Sequence, residues 1–216
     1  MDVKVAPSYG YEQSLWRAGL GPVAGADEAG RGACAGPLVA AAVILDQDSQ
    51  RRIDGLRDSK LLTPAARDAL YEQIVATAVS VAWVAVEPVE CDRLGMQEAD
   101  LQGLRRALDR LDVPPGFAIT DGFSVPGVGL PSLALWKADQ VVACVSAASI
   151  VAKVTRDRIM MAADRRFPGY GFADHKGYCT AEHQQRLEEL GACPIHRMSF
   201  RNVRQAVGLA PDRLGG

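Results

Sequence analysis

Apolar and polar positions along the chain fall into blocks with two different periods. Pro22 to Asp27 leads into Glu28 and a glycine turn, Gly30-Arg31-Gly32. A nearly continuous apolar run from Gly36 to Leu45 follows, ending in the polar stretch Asp46 to Gln50. Two apolar segments joined by a short glycine loop predict a β-hairpin with a buried second strand. Thr63-Pro64 opens a helix, with Thr as N-cap and Pro in the first turn. Its apolar stripe is Ala66, Leu70, Ile74 and Ala78. Val79 to Val86 reads as a strand. Glu90 to Leu111 reads as one helix, introduced by Pro88 and closed by Pro114-Pro115-Gly116. Two short strands follow, Phe117 to Asp121 and Pro131 to Trp136. The stretch from Ala138 to Ala163 is rich in Ala, Val and Ile and predicts a largely buried helix. After the break at Phe167 to Gly171, Thr180 caps a second N-capped helix that ends at Leu190-Gly191. Strands interspersed with helices describe a mixed α/β sheet.

Composition narrows the class. The chain has 216 residues, 48% of them hydrophobic and 23% charged, enough apolar material for one ordinary domain with a core. No stretch reaches the roughly 18 consecutive apolar residues of a membrane span. The N-terminus carries no apolar secretory segment. Cys34, Cys91, Cys144, Cys179 and Cys193 are odd in number and form no C-x-x-C, so a cytoplasmic location is expected. Net charge is only −2, but it is uneven: the first 152 residues carry 13 cations against 19 acids, the rest 11 against 7. An acidic body and a basic last third suit a nuclease, and equally suit a fluctuation.

Four carboxylates stand at predicted element ends. Asp27 and Glu28 precede the Gly30 turn, Asp121 ends a strand before Gly122, and Asp139 follows Trp136-Lys137. Singly each has a bland reading: solvated hairpin acids, a turn former, an acid at a helix N-terminus. Adjacent residues within a strand point to opposite faces. Both Asp27 and Glu28 reach one site only if the chain swings at the strand's end. Together the four acids gather at one edge of a sheet, where α/β proteins place their sites. Their repulsion calls for cations, and hard oxygen ligands suit Mg²⁺ or Mn²⁺. Two such ions about 4 Å apart serve in-line phosphodiester hydrolysis.

Gly30-Arg31-Gly32 lets backbone approach a ligand and adds a phosphate-binding cation. It is not a dinucleotide loop, because the glycines run G-x-G-x-x-x-G and a strand follows. His175, Cys179, His183, Cys193 and His196 have metal-like spacings, but they run into a helix and a proline, so packing roles are expected over structural zinc. Tyr178, in the polar loop His175-Lys176-Gly177-Tyr178, reads either as a sugar-stacking ring or as a core anchor. Arg197, Arg201 and Arg204 read as a solvated face or, beside a phosphodiester site, as backbone contacts.

In order and spacing, these segments resemble the ribonuclease HII family, the bacterial type 2 ribonucleases H. The matching pieces are Ala26-Asp-Glu-Ala-Gly-Arg-Gly32, Gly36 to Leu45, Asp58-Ser59-Lys60, Thr120-Asp121-Gly122, Trp136-Lys-Ala-Asp139, Ser146 to Asp157, His175-Lys-Gly-Tyr-Cys-Thr180 and Cys193 to Phe200. They cover about residues 22 to 202. Two departures are visible. Ala138 stands where the family usually has Gly, and Leu61 where it usually has a second Lys.

The resemblance implies a ribonuclease H-like α/β fold: a mixed five-stranded sheet flanked by helices. It divides the chain into a core, 1–165, and a helical C-terminal extension, 166–216, packed as one unit. It implies an endonuclease on the RNA strand of RNA–DNA hybrids and on single ribonucleotides embedded in duplex DNA. Cleavage would fall 5′ to the ribonucleotide, leave 3′-hydroxyl and 5′-phosphate ends, and serve ribonucleotide removal from DNA. Asp27, Glu28, Asp121 and Asp139 match the family's metal-binding catalytic carboxylates, with two Mn²⁺ or Mg²⁺ ions. Gly30, Arg31 and Gly32 match the loop that reads the 2′-hydroxyl. Tyr178 matches the junction-reading tyrosine, with Tyr170 as the alternative. Lys60 and Lys153 look phosphate-facing or site-supporting. The expected partner is nucleic acid, with the protein a monomer and no protein partner assigned, including none for the clamp-like peptide Gln205 to Leu209. The rivals are another metal nuclease of the same fold, such as a junction resolvase or an exonuclease, and a non-catalytic hybrid-binding protein.

Overall fold

The computed structural model describes residues 6–209. The first five residues of the expected core and residues 210–216 of the expected extension lie outside it. A short helix α1 (Gly10–Arg17) precedes a hairpin of β1 (Val23–Ala29) and β2 (Leu38–Ile44). Then come α2 (Pro64–Thr77), β3 (Ser80–Val86), α3 (Pro88–Leu94), α4 (Met96–Asp109), β4 (Phe117–Asp121) and β5 (Ser132–Leu135). The long helix α5 (Ala143–Arg166) is followed by α6 (Phe172–His175), α7 (Ala181–Leu190) and α8 (Arg201–Ala206). The five strands form one sheet in the order β3-β2-β1-β4-β5. β1 and β2 are antiparallel, as are β2 and β3, whereas β1, β4 and β5 run parallel. The mixed five-stranded sheet with a helical C-terminal part is therefore what forms.

Alternation along the strands makes two cores. Val23, Ala29, Val39, Ala41 and Val43 face α5 and α2, packing on Ile150, Val154, Leu70 and Ile74. Ala24, Ala26, Leu38, Ala40 and Ala42 face α4, packing on Leu104, Ala107 and Leu108. Every residue of β2 is buried, as expected for a central strand covered on both sides. Small side chains let the helices come close. A Cβ on Gly25 of β1 would lie 2.2 Å from the backbone of Cys144, so α5 rests directly on the strand that carries the acids.

Five elements differ from the sequence reading, two of them the short helices α6 and α8, which it does not contain. The helix expected from Glu90 to Leu111 is two helices, broken at Gly95, whose φ of 77° is left-handed. The helix expected from Ala138 starts at Ala143, because Ala138–Gln140 forms a separate 3₁₀ turn after Lys137, itself left-handed at φ 58°. Helix α1 has no counterpart in the reading. Its Glu12 is fully buried and accepts the Cys144 N–H at 2.7 Å. A residue far away in sequence thus caps α5, whose own N-cap Val142 has no side chain to do so.

Candidate active site

Asp27 and Glu28 lie within β1, not beyond its end, so strand alternation holds. Asp27 faces α5, where it meets Ser149, and Glu28 faces α4, where it meets Asp100. Both still line one cavity of about 460 Å³. It is bounded as well by Gly30-Arg31-Gly32, Ser59, Lys60, Lys153 and Tyr178. Asp121 ends β4, the parallel neighbour of β1, one step past the pair Ala26–Thr120, so it sits beside Asp27. Its Oδ1 accepts the Ala138 N–H at 2.6 Å, which ties down the turn holding the buried Asp139. The left-handed residue of that turn is Lys137, so Ala138 needs no glycine freedom and its methyl packs in the core.

All four acids hold their protons more tightly than ordinary carboxyls. Burial, then the Glu28 charge, pushes Asp27 well above its usual value. Burial and Asp100 push Glu28 to about 8. Burial, with Asp121 and Asp58, pushes Asp139 to about 6, and burial raises Asp121. Burial works against the Lys60 charge, but Asp58, Asp139, Asp27 and Asp121 outweigh it and raise its pKa. The turn carrying Lys60 is pinned by Asp58, whose oxygens accept the Lys60 N–H at 2.9 Å and the Gln140 side chain at 3.3 Å. Leu61 is half exposed and provides no cation.

A divalent cation fits this donor set. The oxygens are hard, and a cation would relieve the repulsion that holds the protons on. Among the described residues, no three His, Cys, Asp or Glu side chains close on a common point. The acids stand side by side rather than as a finished cage.

The glycine loop is held from below. Arg197 Nη1 donates to the Gly30 and Arg31 carbonyls at 2.8 and 3.2 Å, and its Nε to Gly36 at 3.0 Å. This overturns the reading of Arg197 as a solvated face or backbone-contacting arginine, since it is fully buried. With the Gly30 and Arg31 carbonyls engaged, Arg31 and Gly32 keep N–H groups that take no partner among the described residues. The Arg31 side chain lies 4.9 Å from the Phe123 ring centroid and 3.4 Å from the fully buried Asp100.

Tyr178 lines the cavity and is about one-third exposed, whereas Tyr170 is buried, stacks on Phe172 and donates its hydroxyl to Gly191. The Tyr178 ring lies 5.8 Å from Lys153 Nζ, which also pairs with Asp157 at 2.7 Å. The Tyr178 carbonyl accepts from His183 Nδ1 at 2.9 Å. That fixes His183 Nε2 as an acceptor for His196 Nε2 at 3.1 Å, while His196 Nδ1 accepts the Cys193 N–H. The metal-like spacing of these histidines thus resolves into a hydrogen-bonded chain of neutral rings. Burial lowers both pKa values, that of His196 to about 4.

Ser149, Asp100 and Arg156 also stand at the site without a sequence motif that marks them for it. Asp100 left a signal in the sequence: it is the one acid on the buried stripe Ala99, Gly103, Leu104, Ala107.

The sheet order and the acids at its edge define a ribonuclease H-type nuclease. The structure matches the crystal structure of ribonuclease H2 from Pyrococcus horikoshii OT3 with a TM-score of 0.76 at 30% identity, covering 85% of this chain and 96% of that one. It matches an Archaeoglobus fulgidus RNase HII, solved in complex with PCNA, with a TM-score of 0.73 at 28% identity, covering 86% and 96%. The family described as Ribonuclease HII matches residues 24–203. Ribonuclease HII of Cutibacterium acnes is 64% identical over 200 residues, covering 93% of this chain and 98% of that protein. The chain belongs to the ribonuclease HII family, metal-dependent endoribonucleases. Among the described residues no helix is long and apolar enough to cross a membrane.

Proposed function

We propose that this protein hydrolyses the RNA strand of RNA–DNA hybrids and cuts duplex DNA at single embedded ribonucleotides. The cut falls on the 5′ side of the ribonucleotide and leaves 3′-hydroxyl and 5′-phosphate ends. The observation that carries the reading is the shared cavity: Asp27 and Glu28, the Gly30-Arg31-Gly32 loop and Tyr178 line the same space. A bare metal nuclease needs only the acids; a loop and a ring facing them add a means to select the sugar.

In this reading Asp27, Glu28, Asp121 and Asp139 hold two Mn²⁺ or Mg²⁺ ions. When bound, such ions act as Lewis acids on the phosphodiester oxygens and offset the charge of the carboxylates. The other parts bind and orient. The N–H groups of Arg31 and Gly32 are free to meet a 2′-hydroxyl, the group that separates RNA from DNA. Tyr178 packs on the sugar that follows. Lys60 and Lys153, which both line the cavity, face the phosphates. The C-terminal segment from residue 166 acts with the core as one unit, supplying Tyr178 and the buried supports of the loop.

The test is a labelled DNA duplex with one ribonucleotide, incubated with Mn²⁺ or Mg²⁺ beside an all-DNA duplex. The expected result is a single cut, 5′ to the ribonucleotide, and an intact control. Cutting of both duplexes would point to a nuclease that ignores the sugar, and cutting of neither to a protein that only binds hybrids.

A further inference from the structure

Arg156 of α5 is fully buried, yet forms no ion pair among the described residues. Its guanidinium meets backbone instead. Nε donates to the Pro37 carbonyl at 3.0 Å and Nη2 to the Ala35 carbonyl at 3.1 Å, while Nη1 is buried without a partner. Such a group is expensive to bury, so its full burial without an ion-pair partner calls for a role. Burial brings its pKa down to about 10, which leaves it a cation at neutral pH.

Two further contacts indicate that role. A Cβ placed on Gly30 would lie 1.9 Å from Arg156 Nε, so the guanidinium is the floor on which the glycine turn rests. On another side, the carbon at the centre of the guanidinium lies 5.2 Å from the Tyr178 ring centroid, within cation–π range. One rigid, planar group therefore touches both elements that, in the proposed function, select the sugar. Lysine at this position would keep the charge, but it has no planar fork to hold two carbonyls and a ring at once.

We infer that Arg156 is a specificity-positioning residue: it sets the gap between the Gly30–Gly32 loop and Tyr178, and so governs discrimination between an isolated ribonucleotide and a continuous RNA strand. The inference rests on the proposed function. It follows from how many anchors each substrate has. A single ribonucleotide offers one 2′-hydroxyl and one junction, which must fit loop and ring together. A continuous RNA strand can re-register and present another ribose.

The experiment compares Arg156→Lys with the unaltered protein on two substrates, a duplex with one ribonucleotide and a uniform RNA–DNA hybrid. Misplacement by about 1 Å costs roughly 100-fold in rate. We expect kcat/KM on the single-ribonucleotide duplex to fall about 10- to 100-fold, mainly in kcat, and on the uniform hybrid less than about threefold. Metal-free binding should show the same split: the preference for the ribonucleotide duplex over plain DNA narrows while overall affinity holds. Arg156→Gln, which retains a donor for one carbonyl, should be affected in the same direction. An equal fall on both substrates, or none on either, overturns the inference, as does loss of folding in both variants, which would make Arg156 only structural. If the unaltered protein does not cut the ribonucleotide duplex, the proposed function has failed, not the positioning role.

Discussion

At the carboxyl ends of β1 and β4, charge outruns its partners: four acids and the nearby Asp100 share essentially one lysine, Lys60, and one arginine, Arg31. Across the cavity, around Tyr178, the polar groups are held mainly by backbone and by one another: His183 pairs with His196, Arg197 with three loop carbonyls and Arg156 with two. The difference separates two ways of preparing a site. The acidic wall is left repulsive, so that it is completed by cations. The C-terminal wall is finished in advance, so that it can measure the substrate's shape. Substitutions that separate these two conditions should give opposite signatures.

The largest effect is expected at Asp139. Asp139→Asn should lower ribonucleotide cutting about 100-fold or more, given the several kcal/mol that bound cations supply. The same change should stabilise the metal-free protein. Its carboxyl titrates near 6, above its ordinary value, so the folded state disfavours the charge. That penalty grows as pH rises through this window and is fully present at pH 7 to 8. Melting in EDTA at pH 8 should therefore show the variant about 1–3 kcal/mol more stable, an advantage that vanishes below pH 4. Near-native turnover would remove Asp139 from the proposed metal set, and a lower melting temperature would mean that the acidic wall is bonded rather than repelled.

On the other wall, the two tyrosines should part company. Tyr178→Ala removes a ring that lines the cavity, at about 1–3 kcal/mol for a stacking contact, or roughly 5- to 150-fold in cutting at a single ribonucleotide. Its melting temperature should barely move. Tyr170→Ala empties a buried, stacked position and should cost about 3–5 kcal/mol of stability. If Tyr170→Ala instead lowers cutting without lowering stability, the junction-reading role passes to Tyr170.

What the sequence reveals follows the same division. The hairpin, the apolar α5 and the Thr63 and Thr180 caps are local patterns, and all four form. The break at Gly95 was hidden because the apolar stripe continues across it, and α1 because its reason for forming, Glu12 capping α5, is long-range. At the site, the acids and the glycine turn stand out as motifs. The meeting of Asp27 and Glu28 with the glycine turn in one cavity, from opposite faces of β1, depends on the tertiary fold, which no spacing encodes. Arg156 and Arg197 look like surface cations in any local window. Only the fold brings five carbonyls of the Gly30–Pro37 loop to them.

The smallest effect is the response of the two walls to acid, which should differ in sign. On the acidic wall, Glu28 titrates near 8 and Asp139 near 6, both raised, so acidification from pH 8 relieves repulsion and stabilises the metal-free fold. On the C-terminal wall, His196 is held neutral to about 4, below the usual 6.5, and its Nδ1 and Nε2 are already committed. The unfolded chain therefore takes up a proton first, and stability falls as pH drops from 6.5 through 4, by up to about 3 kcal/mol. The two arms oppose each other between about pH 6.5 and 4, so melting of the unaltered protein in EDTA reads only their difference there. His196→Gln isolates the second arm. The gap between it and the unaltered protein should stay constant above pH 7 and shrink steadily towards pH 4. A gap that is flat across that range would mean the histidine pair accommodates a proton, and that the C-terminal wall is less rigidly matched than its hydrogen bonds indicate.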